Sequence, residues 1–182
     1  LAAIAAWRDD PRADHTDVVV TTRDLAPGTE LTNDDIRLET RTASSIPDGS
    51  RADVEAVIGT TLAGPARRGE VITDVRLLGP RLAESAAGPN ARIVALPLAD
   101  AALVDLVRPG DVVDIVSAPA GADTETSALL IATDAVVVLV SAKDSGPTTG
   151  GAGRVVLVAL PAAAAKAVAG AALVQAITLT LH

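Results

Sequence analysis

Short apolar runs follow one another along most of the chain, and turns that contain Gly or Pro separate them. The runs are rich in Val, Leu and Ile, which favour buried strands. They predict strands at 17–22, 92–98, 111–116, 154–160 and 175–181, and either two strands or one bent strand across 129–140. Strands dominate, and no sustained alternation of strands with long helices appears. The pattern therefore predicts a mainly β (α+β) fold.

Four short helical segments are predicted from residues that commonly begin a helix. The side-chain oxygens of Thr32, Ser50 and Asp100 suit the N-cap position. Pro161 suits the first helical position, because its fixed φ angle matches the helix and no N–H is needed there. The predicted segments are one turn at 32–35, in which Thr32 and Asp35 would pair as a cap, and helices at 51–56, 101–107 and 161–172.

A stretch of low periodicity divides the chain. Residues 81–90 are rich in Ala, Ser, Gly and Pro, which predicts a linker. The expected organisation is the end of a membrane anchor and a polar linker at 1–16, a first domain at 17–80, and a second domain at 91–182.

The first residues are apolar as far as Trp7. Six apolar residues are too few to cross a bilayer, which needs about 20. We expect them to be the last turns of a longer apolar helix, with Trp7 and Arg8 at the level of the lipid headgroups. The mostly acidic flank that follows favours the extracytoplasmic side, because cytoplasmic flanks tend to be rich in Lys and Arg.

Two Gly turns in the first domain share one design. Residues 27–31 (Pro-Gly-Thr-Glu-Leu) and 68–72 (Arg-Gly-Glu-Val-Ile) each deliver an acidic residue and then apolar positions that favour a strand. Their order resembles the SAF domain, a β-clip fold also found in flagellar basal-body chaperones and pilus assembly proteins. The resemblance implies an assembly or interaction module.

The second domain has a similar Gly turn, followed by an acidic residue and apolar positions, at 108–114 (Arg-Pro-Gly-Asp-Val-Val-Asp). With the strand, proline, Ala-rich helix and strand near the C-terminus, this stretch resembles pilus assembly proteins of the CpaB/RcpC type. These belong to the Flp (tight-adherence) pilus system, and the resemblance covers residues 1–182. It implies a membrane helix, a β-clip SAF domain, and a small β-rich domain with short helices.

Composition narrows the functional classes. Apolar residues make up 49% of the 182 residues, yet Trp7 is the only aromatic one, so any core must use Val, Leu, Ile and Ala. Without aromatic stacking platforms or a basic stripe, and with a net charge of −8, nucleic-acid binding is not expected. The absence of Cys excludes disulfides, thiol catalysis and thiolate metal sites.

No constellation of side chains indicates catalysis. His15 lies in the polar linker and His182 is the last residue, so neither is expected to act as a general base or a metal ligand. Asp111 and Asp114 would point to opposite faces of a strand and are interpreted as turn carboxylates that bind backbone N–H groups. We therefore expect no enzymatic activity, no cofactor and no metal.

The expected function is a non-catalytic scaffold of the Flp pilus machinery, on the extracytoplasmic face of the membrane and held by a single helix. Its partners would be other pilus or secretion proteins. Two alternatives remain. One is a periplasmic chaperone resembling the flagellar basal-body type. The other is a SAF-type module for sugar acids or related anions, in which Arg23, Arg67 and Arg68 would converge on one concavity.

Overall fold

The computed structural model describes residues 14–119, 128–141 and 154–182, which contain seven strands and three α-helices. The first seven residues, expected to end a membrane anchor, lie outside the described residues. The mainly β prediction is confirmed. In chain order the elements are β1 (His15–Thr21), β2 (Ile36–Thr42), α1 (Pro80–Ala87), β3 (Arg92–Pro97), α2 (Ala101–Leu106), β4 (Val112–Pro119), β5 (Leu129–Val140), β6 (Val155–Leu160), α3 (Ala162–Ala172) and β7 (Gln175–Leu181).

The N-terminal unit (14–78) is built around β1. This strand pairs with β2 in an antiparallel register that runs from His15 opposite Thr42 to Thr21 opposite Ile36. On its other side β1 meets the chain in an isolated bridge instead of a long strand, Val20 with Val71, and just after β1 a second bridge joins Leu25 to Ala66. As a result the last four residues of β1 are buried. Isolated bridges of this kind, separated by tight turns, agree with the compact β unit that the sequence predicted.

The core of the N-terminal unit consists of aliphatic side chains. Branched residues pack closely without any aromatic ring, as the composition required. The members of the main cluster are Val19, Leu25, Leu31, Ile36, Val57, Leu62, Ala66, Ile72 and Leu77.

The predicted helix at 51–56 is wrong. Arg51 is held in an extended conformation beside β1, because its carbonyl accepts the Val19 N–H at 2.7 Å and its N–H donates to the Ile72 carbonyl at 2.9 Å. Ser50, the predicted N-cap, forms a β-bridge with Thr73. Only a turn follows, in which the Asp53 carboxylate accepts the Glu55 N–H at 3.0 Å.

The C-terminal unit (91–182) contains an antiparallel five-stranded sheet in the order β3-β6-β5-β4-β7. One bent strand spans the region for which the sequence allowed one or two. Asp134 has a φ of 56° there, and the register with β4 shifts nearby. Beyond β3, the Ala99 N–H donates to the Ile177 carbonyl of β7 at 2.8 Å. This bond links the two outer edges, so the sheet curls towards closure.

Two of the predicted helices complete this unit. Asp100 is the N-cap of helix α2, as the sequence predicted, and its carboxylate accepts the Ala102 N–H at 2.8 Å. Helix α3 packs against β3, β5, β6 and β7, and it buries Ala165 and Val168. Its small side chains let the helix approach the sheet closely.

Helix α1 lies in the stretch predicted as a linker, and the sequence pattern did not predict it. Pro80 occupies its first turn and Ala83 is buried. The helix packs on β3, β5 and β6 of the C-terminal unit and on a short 3-10 turn, Asp74–Arg76, of the N-terminal unit. Arg81 adds an ion pair with Asp74, with 3.2 Å between Nε and Oδ2. The connection between the two units is therefore a packed helix.

Within the described ranges, no helix has the length and apolar character needed to cross a membrane.

Candidate functional site

The three arginines proposed for anion binding lie on one surface of the N-terminal unit. Segments 21–25 and 66–70 run antiparallel, since Leu25 donates its N–H to Ala66 at 2.9 Å and Gly69 donates to Thr21 at 2.9 Å. This pairing brings Arg23 close to Arg67 and Arg68. All three side chains are exposed, and they lie along a turn.

Two carboxylates are already engaged with these arginines. Asp35 accepts Arg23 Nη2 at 2.6 Å, and Asp24 accepts Arg67 Nη1 at 2.5 Å. Asp24 also accepts the backbone N–H of Arg68 at 2.9 Å, and this bond is the main cause that lowers its pKa, followed by the bond from the Arg67 side chain. Within the described part of the chain, the Arg68 guanidinium has no ion-pair partner. The surface therefore offers an added anion little uncompensated positive charge.

Asp35 is the buried member of this group, since its side chain is only 2% exposed. It accepts both the hydroxyl and the backbone N–H of Thr32, at 2.7 and 3.1 Å. The hydroxyl bond contributes most to lowering the pKa of Asp35, burial opposes it, and the Thr32 N–H and Arg23 lower it further. The predicted pairing of Thr32 with Asp35 in one capped turn is confirmed.

The same turn geometry recurs in both units. In each case a carboxylate accepts the backbone N–H of the residue three positions earlier: Asp35 from Thr32, Glu70 from Arg67 at 3.0 Å, and Asp111 from Arg108 at 2.7 Å. In the second and third turns the Gly before the acid has a positive φ, 80° at Gly69 and 98° at Gly110. The acidic residues of these turns thus close the turns themselves, as the sequence interpretation proposed for Asp111.

Asp114 has a comparable structural role in the C-terminal unit. It accepts the Asp134 N–H at 3.2 Å, at the bend of β5, and its Oδ1 lies 3.0 Å from His182 Nε2. The His182 bond is the largest cause that lowers the pKa of Asp114, with burial opposing it and the Asp134 N–H adding to it. His15, the other histidine, lies exposed at the start of β1.

Three cavities lie near the junction of the units, and the one of about 250 Å³ is lined by residues of both units and of α1. One of about 530 Å³ is lined mostly by apolar residues around the start of α1. Another of about 430 Å³ lies between the Ala26-Pro27 turn and the C-terminal unit, and it includes Arg108 and Arg154. The sequence did not single out Arg154. Its guanidinium forms an ion pair with Asp105, far away in the sequence, so no local pattern could have revealed it.

The polar residues that line the cavity of about 430 Å³ are bonded within the chain: Asp105, Arg108, Ser141 and Arg154. Arg154 also donates to the Ser141 carbonyl at 3.3 Å, and Arg108 donates to the carbonyls of Asp105 and Val107 at 2.6 and 3.0 Å. Within 14–119, 128–141 and 154–182, no three His, Cys, Asp or Glu side chains come together in a way that would hold a metal ion.

Comparison with known families gives the N-terminal unit an identity. Residues 16–78, from the start of β1 to the end of the bridged core, match the sequence profile of the SAF domain. The chain contains a SAF domain. The match covers the segment whose Gly turns carried the resemblance, and it ends just before α1.

Other comparisons add less. A crystal structure of flagellar protein FlgA from Thermotoga maritima shares 21% identity with this chain, with a TM-score of 0.35. The alignment covers 69% of this chain and 34% of that protein, so this chain spans about a third of its length. No curated protein matches the chain.

We expect the SAF domain not to be stabilised by sugar acids. A site with a Kd of about 0.1 mM would gain about 2.7 kcal/mol from about 10 mM ligand, which corresponds to a rise in melting temperature of roughly 10–20 °C in a domain of this size. Because Asp24 and Asp35 already engage Arg67 and Arg23, we expect a change below about 1 °C in a thermal-shift assay with glucuronate or galactarate. A rise of several degrees that the Arg68→Ala variant loses would instead establish an anion site.

Proposed function

We propose that this chain is a non-catalytic assembly protein of the Flp (tight-adherence) pilus machinery, on the extracytoplasmic face of the membrane. A single helix before the described residues would anchor it. It would act through contacts with other pilus or secretion proteins, made by strand edges and turns instead of a cleft.

One observation carries the proposal: a SAF domain is followed by a second β unit in which residues 108–114 contain a turn closed by hydrogen bonds. In that turn the Arg108 N–H donates to the Asp111 carboxylate. The Gly110 N–H donates to the Val137 carbonyl at 2.8 Å, and the Val137 N–H donates to the Asp111 carbonyl at 2.9 Å. The stretch that carried the resemblance to the CpaB/RcpC type thus leads from α2 into β4 and is hydrogen-bonded to the neighbouring strand β5. Its residues support the architecture that the resemblance implied.

The carboxylates of the Gly turns also favour an assembly role over catalysis. Those of Glu70 and Asp111 each accept a backbone N–H of their own turn, and Glu70 also forms an ion pair with Arg76. Groups held in this way keep a surface rigid. A rigid surface loses little conformational entropy when a partner binds, which favours docking.

The test is deletion of the gene in its native organism, with electron microscopy of surface pili and a motility assay. We expect pili to be lost while swimming motility stays normal, and the full chain supplied from a plasmid to restore the pili. A tagged full-length chain should retain pilus-machine proteins after cross-linking in intact cells. Loss of flagella with normal pili would contradict the pilus role and favour the chaperone alternative.

A further inference from the structure

The outer edge of β2 is open. Val19 of β1 donates its N–H to Arg51 and accepts the Ile72 N–H, and both bonds lie on the side away from β2. Val19 and Leu38 are directly opposite each other, so they form a pair without mutual hydrogen bonds. The backbone groups of Leu38, and by alternation those of Thr40, therefore point outward. Among the described residues they have no backbone partner.

Side chains along this edge alternate between charged and apolar or small. Arg37, Glu39 and Arg41 share one face of the strand, while Leu38 and Thr40 lie on the other. Leu38 is 49% exposed although it sits in the middle of the strand opposite the buried Val19. Edge strands are usually protected by charged side chains, a bulge or a cover. β2 carries charges on one face, but its register with β1 has no bulge and Leu38 is exposed on the other face.

We propose that β2 pairs with β2 of a second copy of this chain, in antiparallel orientation and with the two-fold axis at Leu38. The two β1–β2 ribbons would then form one continuous four-stranded sheet. The partner is identified by charge: in this register Arg37 of each chain faces Glu39 of the other, in a close pair without mutual hydrogen bonds. Leu38 faces Leu38, and the outward backbone groups of Ile36, Leu38 and Thr40 find partners.

Other registers fit less well. An axis at Glu39 would place Glu39 against Glu39 and Arg37 against Arg41, which juxtaposes like charges on every pair of that face. An axis at Thr40 would pair Glu39 with Arg41, but Arg41 is already held within its own chain, where its Nη2 donates to the Gly69 carbonyl at 2.9 Å. That axis would also leave Leu38 without an apolar partner. Among the described residues, Arg37 is bonded to Glu39 of its own strand, and its side chain is 48% exposed. Glu39 also accepts Arg41 Nε at 2.9 Å, so pairing between copies would add Arg37 of the other chain to the two arginines that this carboxylate already binds.

Strand pairing alone makes a small interface, so we expect the association to be weak and concentration-dependent. It does not rest on the pilus role, because any function of the full chain is compatible with it. If the pilus proposal failed, this pairing would still be measurable in the purified protein.

The experiment uses single cysteines, because the chain has none of its own. Residues directly opposite in a hydrogen-bonded pair have Cα atoms about 5.5 Å apart, within the range of a disulfide. Purified full-length L38C should therefore form a covalent dimer under mild oxidation. Two controls are T40C and L130C. Residue 40 lies on the same edge, but in the proposed register it is opposite residue 36 of the other copy, about four residues away from the other Thr40. Leu130 is a similarly exposed leucine in the C-terminal unit. We expect L38C to dimerise at least about ten times faster than either control, because pairing raises the local thiol concentration.

A charge exchange tests the register independently. In the L38C background, R37E would set two acidic side chains against each other and should return cross-linking to the rate of the controls. The double exchange R37E/E39R should restore it, because opposite charges face each other again. Equal rates for L38C and L130C would overturn the pairing, and faster cross-linking of T40C would overturn the axis at Leu38. Failure of the double exchange to restore the rate would also contradict the proposed charge pairing.

Discussion

Replacing Leu62 by alanine is expected to lower the free energy of unfolding of the SAF domain by about 2–5 kcal/mol. Leu62 is fully buried in the aliphatic cluster, and its backbone is fixed on both sides. Its N–H donates to Thr29 at 2.9 Å, and its carbonyl accepts the Gly28 N–H at 2.7 Å. The backbone cannot move inward to fill the space, so the substitution leaves a cavity. Urea unfolding of the full chain, followed by circular dichroism, measures the loss.

The matched control is Leu130→Ala, the same change at a leucine that is 53% exposed. We expect it to cost less than about 1 kcal/mol, because little apolar surface is removed from the interior. A loss at Leu62 no larger than that at Leu130 would show that the cluster collapses around the missing atoms. The described packing of this core would then be wrong.

Asp35→Asn is expected to destabilise the protein by about 2–4 kcal/mol. The carboxylate is buried and accepts bonds from the Thr32 N–H, the Thr32 hydroxyl and Arg23. An amide of the same size has one acceptor oxygen and presents its NH₂ group to one of these donors. Asp34→Asn, an exposed neighbour, provides the control and should change stability by less than about 0.5 kcal/mol.

The pH dependence of the same variant follows from the pKa of Asp35. The folded state lowers this pKa below its ordinary value of 3.8, so the charged form is favoured by folding. The stabilisation is complete above that value and is lost as the pH falls through the lower, folded value. The difference between wild type and Asp35→Asn should therefore be constant from about pH 7 to pH 5 and shrink below about pH 4. A difference that is unchanged near pH 2 would contradict a role for the ionised carboxylate.

Elements whose signals are local could be predicted from the sequence. The Val-rich strands β4 and β6, the capped helix α2 and the Ala-rich helix α3 all agree with their patterns. In these cases propensity, capping and burial point the same way, so long-range contacts only reinforce the local preference.

Both misses involve contacts between parts of the chain that are distant in the sequence. Residues 51–56 follow a favourable N-cap residue, Ser50, but Arg51 bonds to Val19 and Ile72 on distant parts of the chain, and this pairing overrides the local preference. Helix α1 was missed for the opposite reason. Its sequence has little periodicity, and the helix is stabilised by contact with both units. Neither contact is visible in a window of neighbouring residues.

The same distinction between local signals and long-range contacts applies to the candidate sites. That Asp35 and Asp111 close their turns could be predicted, because the acceptor and the donor lie three residues apart. That Asp24 would neutralise Arg67 could not, since it depends on the bridge between Leu25 and Ala66. The open edge of β2 was equally invisible, because it depends on which neighbour β1 binds on each side.

The hydrogen bond from Ala99 to Ile177 has a consequence for biogenesis. It joins residues near the two ends of the C-terminal unit, so curling of the sheet is completed only after almost the whole unit has been synthesised. Contacts between residues so distant in the sequence form slowly. Until then the outer strands stay exposed to unwanted partners, and a chain that emerges into a crowded compartment would gain from a holding factor that shields them.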